Sequence, residues 1–184
     1  MNSWSTARWG MVVAAIAVAF GVGLFVGIRL GQPSFRLSPA GTADTTVDGV
    51  HVEIEYSRPY VRGRRIFGEL VPFDEVWRTG ANEATALATD GDLRIGDALV
   101  PAGEYTLYTI PGESAWTLIV NRDTGQWGTT YDDERDLVRI PMRSGTLAEP
   151  VEQFTIRFEP AEAGALLVLE WERTRAEVGV RGGG

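Results

Sequence analysis

Four Arg stand within eight residues, at Arg58, Arg62, Arg64 and Arg65, in a chain that carries 25 Asp and Glu against 17 basic residues. A guanidinium is a rigid fork of donors that matches carboxylate, phosphate and sulfate groups, so this stretch is a candidate anion site. Its other reading is ordinary pairing with the surplus carboxylates of the same domain. A second stretch, Trp77-Arg78-Thr79-Gly80-Ala81-Asn82-Glu83, sets an indole, a guanidinium, a hydroxyl, an amide and a carboxylate close together. Such a set suits a polar ligand, with Trp77 stacking and Asn82 and Glu83 hydrogen bonding. It equally suits a buried corner in which Trp77 fills core, Arg78 meets a carboxylate and Asn82 satisfies turn backbone. A third stretch runs from Asn121 to Tyr131, where Gln126, Trp127 and Tyr131 stand on a long loop and would complete a pocket. The ligand-binding candidates are therefore Arg58, Arg64, Trp77, Arg78, Thr79, Asn82, Glu83, Gln126, Trp127 and Tyr131, and Glu83 doubles as the one candidate acid or base.

Several chemistries are excluded. There is no Cys, hence no disulfide, thiol nucleophile or thiolate metal site, and His51 alone cannot build a multi-His zinc centre. The acidic run from Asp132 to Asp136 and the pair Asp90 and Asp92 miss the spacing of a calcium loop, so they read as solvated charge. The sequence assigns no metal and no cofactor. With a net charge of -8 and every acidic residue lying between Asp44 and Glu177, nucleic acid is not an expected partner.

The elements that must position these stretches are strands. From Val50 the pattern has period two, with Val50, Val52, Ile54 and Tyr56 on one face and His51, Glu53 and Glu55 on the other. Further strands are expected at 84–89, 92–95, 104–110, 115–120, 137–142, 151–158, 165–172 and 175–180. Turn residues at Pro101-Ala102-Gly103, Pro111-Gly112 and Pro160 to Gly164 punctuate them. Eight or nine short strands without a long amphipathic helix imply an all-β domain, an antiparallel β-sandwich or a jelly roll, over residues 48–181. The Gly-rich residues 182–184 read as a disordered tail.

Ahead of this domain, residues 10–28 contain no charge and lie between Arg8 and Arg29. A helix of that length nearly crosses a hydrocarbon core of roughly 30 Å. Residues 1–9 read as a short tail, 10–30 as a transmembrane signal anchor and 31–47 as a linker rich in Pro, Ser, Gly and Thr. The exit from the apolar stretch offers no small-x-small cleavage site, which favours a retained anchor over a cleaved signal and a secreted or periplasmic product. Single-pass insertion in a bacterial cytoplasmic membrane with the acidic domain outside is the expected location. Gly23, Gly27 and Gly31 repeat at a spacing that suits close helix pairing and a homodimer.

Glu55-Tyr56-Ser57-Arg58-Pro59, Gly63-Arg64-Arg65-Ile66-Phe67-Gly68, Trp77-Arg78-Thr79-Gly80-Ala81-Asn82-Glu83-Ala84-Thr85, Gln126-Trp127-Gly128 and Trp171-Glu172-Arg173-Thr174 together closely resemble the bacterial domain-of-unknown-function family 2911. The resemblance spans about residues 50–180 and implies a bacterial, exported protein with no activity attached. Three functions follow from the residues themselves. The leading one is a non-catalytic binding or interaction module for an envelope ligand or protein. The second is a carboxylate-dependent hydrolase or isomerase, with Glu83 as acid or base and Arg64 or Arg78 stabilising an anion. The third is a structural protein, in which Arg78, Glu83 and Glu172 form an ion network that fixes loop geometry.

Overall fold

The computed structural model describes residues 37–184. The expected tail, the span at 10–30, the Gly23, Gly27 and Gly31 pattern, and the linker as far as residue 36 lie outside the described residues. Nine strands form a single antiparallel sheet: β1 (Ala40–Val47), β2 (Val50–Ser57), β3 (Thr85–Thr89), β4 (Leu93–Ile95), β5 (Ala98–Val100), β6 (Gly103–Ile110), β7 (Ala115–Asn121), β8 (Asp136–Pro160) and β9 (Ala165–Gly182). One turn of 3-10 helix at Asp133–Arg135 precedes β8. The spatial order is β1-β2-β3-β6-β7-β8-β9-β4-β5. Two meanders are joined in sequence by the β4-β5 hairpin, which crosses to the far edge of the sheet. That order lacks the interleaved pairing of a jelly roll, so the jelly-roll expectation is corrected to a curled, sandwich-like sheet.

The sheet curls because β8 and β9 are long and bent. β8 pairs with β7 along its first part and with β9 along the rest, with register shifts between Thr146 and Val151 and again before Thr155. In β9 the bend falls at Glu172, whose φ of 55° is a left-handed backbone inside a strand. Each of these long strands had been read as two short ones, because bulges interrupt the alternation without ending the ladder. The curl brings β1 against β8 and β9. Across the interior the Tyr56 hydroxyl donates to the Ile156 carbonyl at 3.1 Å and accepts from the Ile156 amide at 2.9 Å, tying β2 to β8.

Residues 40–47, read above as the end of a linker, are strand β1, and the physical reason is local. The Asp48-Gly49 pair has φ values of 50° and 84°, the double left-handed turn that matches strand twist, and it is a strong short hairpin signal. That turn sets β1 on β2 in unbroken register from Val47 opposite Val50 to Ala40 opposite Ser57. Only Ala43 and Val47 of β1 are buried, so its side chains carry almost no apolar period while its backbone is fully paired on one side. The glycine tail is corrected likewise. Gly182 donates to Asp48 Oδ2 at 2.9 Å and Gly183 to the Asp92 carbonyl at 2.7 Å, which pins the chain as far as Gly183.

Alternating residues of β2, β3, β6, β7, β8 and β9 supply the core, including Val52, Ile54, Leu87, Leu107, Leu118, Phe154, Leu167 and Leu169. At one end it becomes aromatic. Trp77 and Trp171 lie 5.8 Å apart with planes only 14° from parallel, and Phe67, Trp116 and Phe154 meet them edge-on or tilted. Close aromatic pairs of this kind add about 0.5–1.5 kcal/mol each beyond the area they bury. This cluster fixes the segment between β2 and β3 that carries the candidate site.

Candidate functional site

The segment between β2 and β3 holds no regular element, yet its backbone is anchored. The Trp77 amide donates to the Thr109 carbonyl at 2.7 Å and the Trp77 carbonyl accepts from the Thr109 amide at 2.9 Å, a bridge to β6. Trp77 is 9% exposed and belongs to the core, as in the buried-corner alternative of the two readings this stretch allows. Thr79 is fully buried, with a φ of 54° that a β-branched side chain rarely adopts. Its hydroxyl bonds the Trp77 carbonyl and the Thr109 hydroxyl, and Thr85 donates to its carbonyl at 2.8 Å. Asn82, with a φ of 60°, donates to the Ser38 carbonyl and the Ser57 hydroxyl. Thr79 and Asn82 therefore hold the turn, and their side-chain chemistry is directed at the chain itself.

Arg58 is also a staple. Its Nε donates to the Phe154 carbonyl at 3.2 Å and its Nη2 to the Thr155 hydroxyl at 3.0 Å, closing the sheet at β2 and β8. The other Arg side chains of this region behave differently. Arg62 lies 5.7 Å over the Tyr60 ring and reaches the Leu37 carbonyl at 3.4 Å. Arg64 curls onto its own turn, donating to the Val61 and Tyr60 carbonyls. Arg78 is half-buried and, among the described residues, makes no hydrogen bond or ion pair. Among the described residues, no carboxylate lies within ion-pair distance of Arg58, Arg62, Arg64 or Arg78. Among the described residues, the ion pairing expected of surplus carboxylates is absent from these four guanidinium groups.

Arg62, Arg64 and Arg78 line one cavity of about 300 Å³ together with Tyr60, Trp77 and Trp171. The Arg-rich and Trp-rich stretches thus converge. The indole N–H of Trp171 is buried and has no acceptor. Arg62 and Arg64 spend part of their donors on the Leu37, Val61 and Tyr60 carbonyls, and the remaining guanidinium N–H groups stand beside aromatic side chains.

Arg78 also lines a second cavity, of about 320 Å³, with Val76, Tyr108, Gly128, Thr129 and Tyr131. The third candidate loop reaches it through backbone pairing. The Gly128 amide donates to the Asn82 carbonyl at 3.1 Å, and Glu83 and Trp127 form an isolated antiparallel bridge. Gly128 is required there by close approach, because a Cβ at this position would stand 2.7 Å from Arg78 Cδ and 2.9 Å from the Asn82 carbonyl. Behind this cavity, Gln126 donates to the Thr106 and Tyr108 hydroxyls, and its own buried Oε1 accepts nothing. Tyr108 donates to the Thr130 carbonyl at 2.6 Å, and Tyr131 donates to Asp136, which Arg139 also engages. Burial pushes both phenols up, and the Asp136 carboxylate helps raise Tyr131 to about 12. Both tyrosines are therefore neutral donors at neutral pH, not tyrosinate bases.

Of the sequence candidates, Arg64, Trp77 and Arg78 meet around the first cavity, and Tyr131 joins Arg78 and Trp77 at the second. Gln126 stands behind the second, and Trp127 is 53% exposed beside it. Glu83 is exposed and lines neither. Arg62 and Trp171 were missed as site residues, although Arg62 stood within the flagged Arg cluster. Among the described residues neither Arg78 cavity is lined by a carboxylate, although Glu152 stands close by, accepting the Arg62 backbone amide at 2.9 Å. The proposed network of Arg78, Glu83 and Glu172 does not form as drawn: Glu172 accepts the Ile66 amide at 2.9 Å and Arg78 enters no ion pair. Among the described residues no cluster of three metal-ligating side chains occurs.

Fold and cavity together define an all-β domain with an aromatic end and a donor-lined, cationic hollow. The chain belongs to the family described as protein of unknown function, family 2911, whose model matches residues 38–180. That match includes β1 and so begins well before the signature residues. No curated protein and no solved structure matches the chain.

Proposed function

We propose that this domain is a non-catalytic binding module for an anionic ligand, held at the outer face of a bacterial cytoplasmic membrane by the apolar residues 10–30. One observation carries the ligand class: in a domain with 25 acidic residues, Arg62, Arg64 and Arg78 line one cavity and, among the described residues, none of their guanidinium groups forms an ion pair, Glu152 being held by the Arg62 backbone amide instead. Exposed Arg62 and Arg64 and half-buried Arg78 offer guanidinium forks that suit an oxyanion, and the aromatic walls favour a ligand with an apolar part. The absence of a carboxylate from the two Arg78 cavities argues against the hydrolase or isomerase reading. Anchoring rests on the uncharged stretch at 10–28, and the outward orientation on the acidity of the domain that follows.

The test is a thermal-shift titration of the full chain in neutral detergent with inorganic phosphate, pyrophosphate and citrate. A ligand at 100 times its dissociation constant adds about 2.7 kcal/mol to stability. A rise in Tm that disappears in Arg78→Met and Arg64→Gln supports the reading. Three anions that leave Tm unchanged at saturating concentrations count against it. Protease added to intact spheroplasts tests the topology separately, since full protection of the domain would place it inside.

A further inference from the structure

We infer that the face carrying the two Arg78 cavities rests on the bilayer and that the anion bound in the Arg62, Arg64 and Arg78 cavity is the phosphate headgroup of an anionic phospholipid. This rests on the anion-binding reading above and narrows it to one source. Five large hydrophobic side chains are exposed among the described residues, and four of them border these cavities. Leu37 and Leu70, at 63% and 47% exposure, line the first cavity. Val76 lines the second, and Trp127 adjoins it through Gly128. Exposed apolar side chains beside exposed guanidinium groups have the two chemistries of a bilayer interface: acyl and glycerol carbon for the first, phosphate for the second. An exposed indole such as Trp127 favours the headgroup layer.

Charge and tether agree with that occupant. An acidic domain is repelled by an anionic membrane unless one face is locally positive, and repulsion from more distant carboxylates is screened beyond about 8 Å at physiological ionic strength. Asp74 and Glu75 stand on the turn before Val76 but line neither cavity. Leu37 is itself a cavity residue, and only residues 29–36 separate it from the end of the uncharged stretch. Eight residues reach at most about 29 Å when fully extended, so a bilayer that holds residues 10–28 is within range of this face. A soluble anion or an acidic peptide would use the Arg cavity, but would give no reason for the exposed Leu37, Leu70, Val76 and Trp127 around it.

The test uses the full chain in nanodiscs of phosphatidylcholine alone or of phosphatidylcholine with phosphatidylglycerol. Amide exchange over residues 60–78 and 126–129 is expected to slow in the anionic discs. Brominated phosphatidylglycerol should quench Trp127, read as the difference from Trp127→Phe. Each of Arg62→Gln, Arg64→Gln and Arg78→Met should weaken this protection roughly fivefold, and added salt should weaken it further. Equal exchange in both discs, with no quenching of Trp127, overturns the lipid assignment. If phosphate or citrate still raises Tm in the neutral discs, the anion-binding reading survives and the ligand is a soluble anion. If neither lipid nor soluble anion acts, both readings fall.

Discussion

Arginine does two different things in two regions of this domain. On the outer face of β8 and β9, Arg157 and Arg175 both donate to Glu170 at 3.0 Å, and they share Glu159, while Arg175 also holds Glu177. The hydrogen bond from Arg175 holds the Glu159 carboxyl below its ordinary range. Around the aromatic end, Arg62, Arg64 and Arg78 point no charge at any carboxylate. The same residue type is neutralised where the sheet must be held and left uncompensated where a hollow opens. A structural ion network does exist, as one sequence reading required, but on strands rather than in the signature.

The largest test of this contrast is removal of the shared carboxylate. Glu170→Gln keeps the shape and deletes the charge, leaving two guanidinium groups facing a neutral amide. A loss of about 2–3 kcal/mol in urea unfolding at neutral pH is expected, below the 3–5 of a fully buried pair because both Arg side chains remain partly exposed. A loss under about 0.5 kcal/mol would erase the distinction between the two regions. Next in size is Gly128→Ala, whose methyl would meet the Arg78 stem and the Asn82 carbonyl. Overpacking of this kind costs about 1–3 kcal/mol, and here it should also displace Arg78 and lower anion affinity.

Why these regions differ in legibility follows from how each is built. Strand alternation was readable because side chains of period two leave a trace in hydropathy, as in Val50 to Tyr56. β1 left no such trace: its pairing is backbone to backbone, and only the Asp48-Gly49 turn marked it. The Arg157, Glu159, Glu170 and Arg175 cluster needed the register across the turn from Pro160 to Ala165, which no single-strand pattern supplies. The burial of Trp77 was hidden because it sits in an irregular segment where exposure has no period. Composition alone flagged Arg64, Arg78 and Tyr131, but their meeting depends on the Trp77 to Thr109 and Glu83 to Trp127 bridges, which join distant parts of the chain. Residue types announced the chemistry, and long-range backbone pairing chose which of them meet.

Arg78→Met sharpens the comparison from the other side. The thioether chain preserves the packing of the stem against Gly128 and removes a charge that no carboxylate holds. Stability should change by less than about 1 kcal/mol, in contrast with Glu170→Gln, while the anion-dependent rise in Tm is lost. A destabilisation as large as that of Glu170→Gln would mean that Arg78 is a structural cation after all.

The smallest expected effect concerns Tyr131, which belongs to the paired kind of site although it borders the Arg78 cavity. Its hydroxyl donates to Asp136 at 2.8 Å and accepts from Arg139 at 3.0 Å. Burial comes first among the causes that raise this phenol from 10.0 to about 12, and the Asp136 carboxylate adds to it. Because the folded state favours the protonated phenol, the stability it contributes is fully present below about pH 10 and is lost as pH rises through about 12. Alkaline titration followed by tyrosinate absorbance should therefore show Tyr108 and Tyr131 as late-ionising groups, one of which is missing in Tyr131→Phe. The variant should also be less sensitive to alkali across that window, because phenylalanine has no proton to lose beside Asp136. If no late step is lost in Tyr131→Phe, the phenol held back by Asp136 is not Tyr131, even though Asn121 and Arg139 also hold that carboxylate in place beside it.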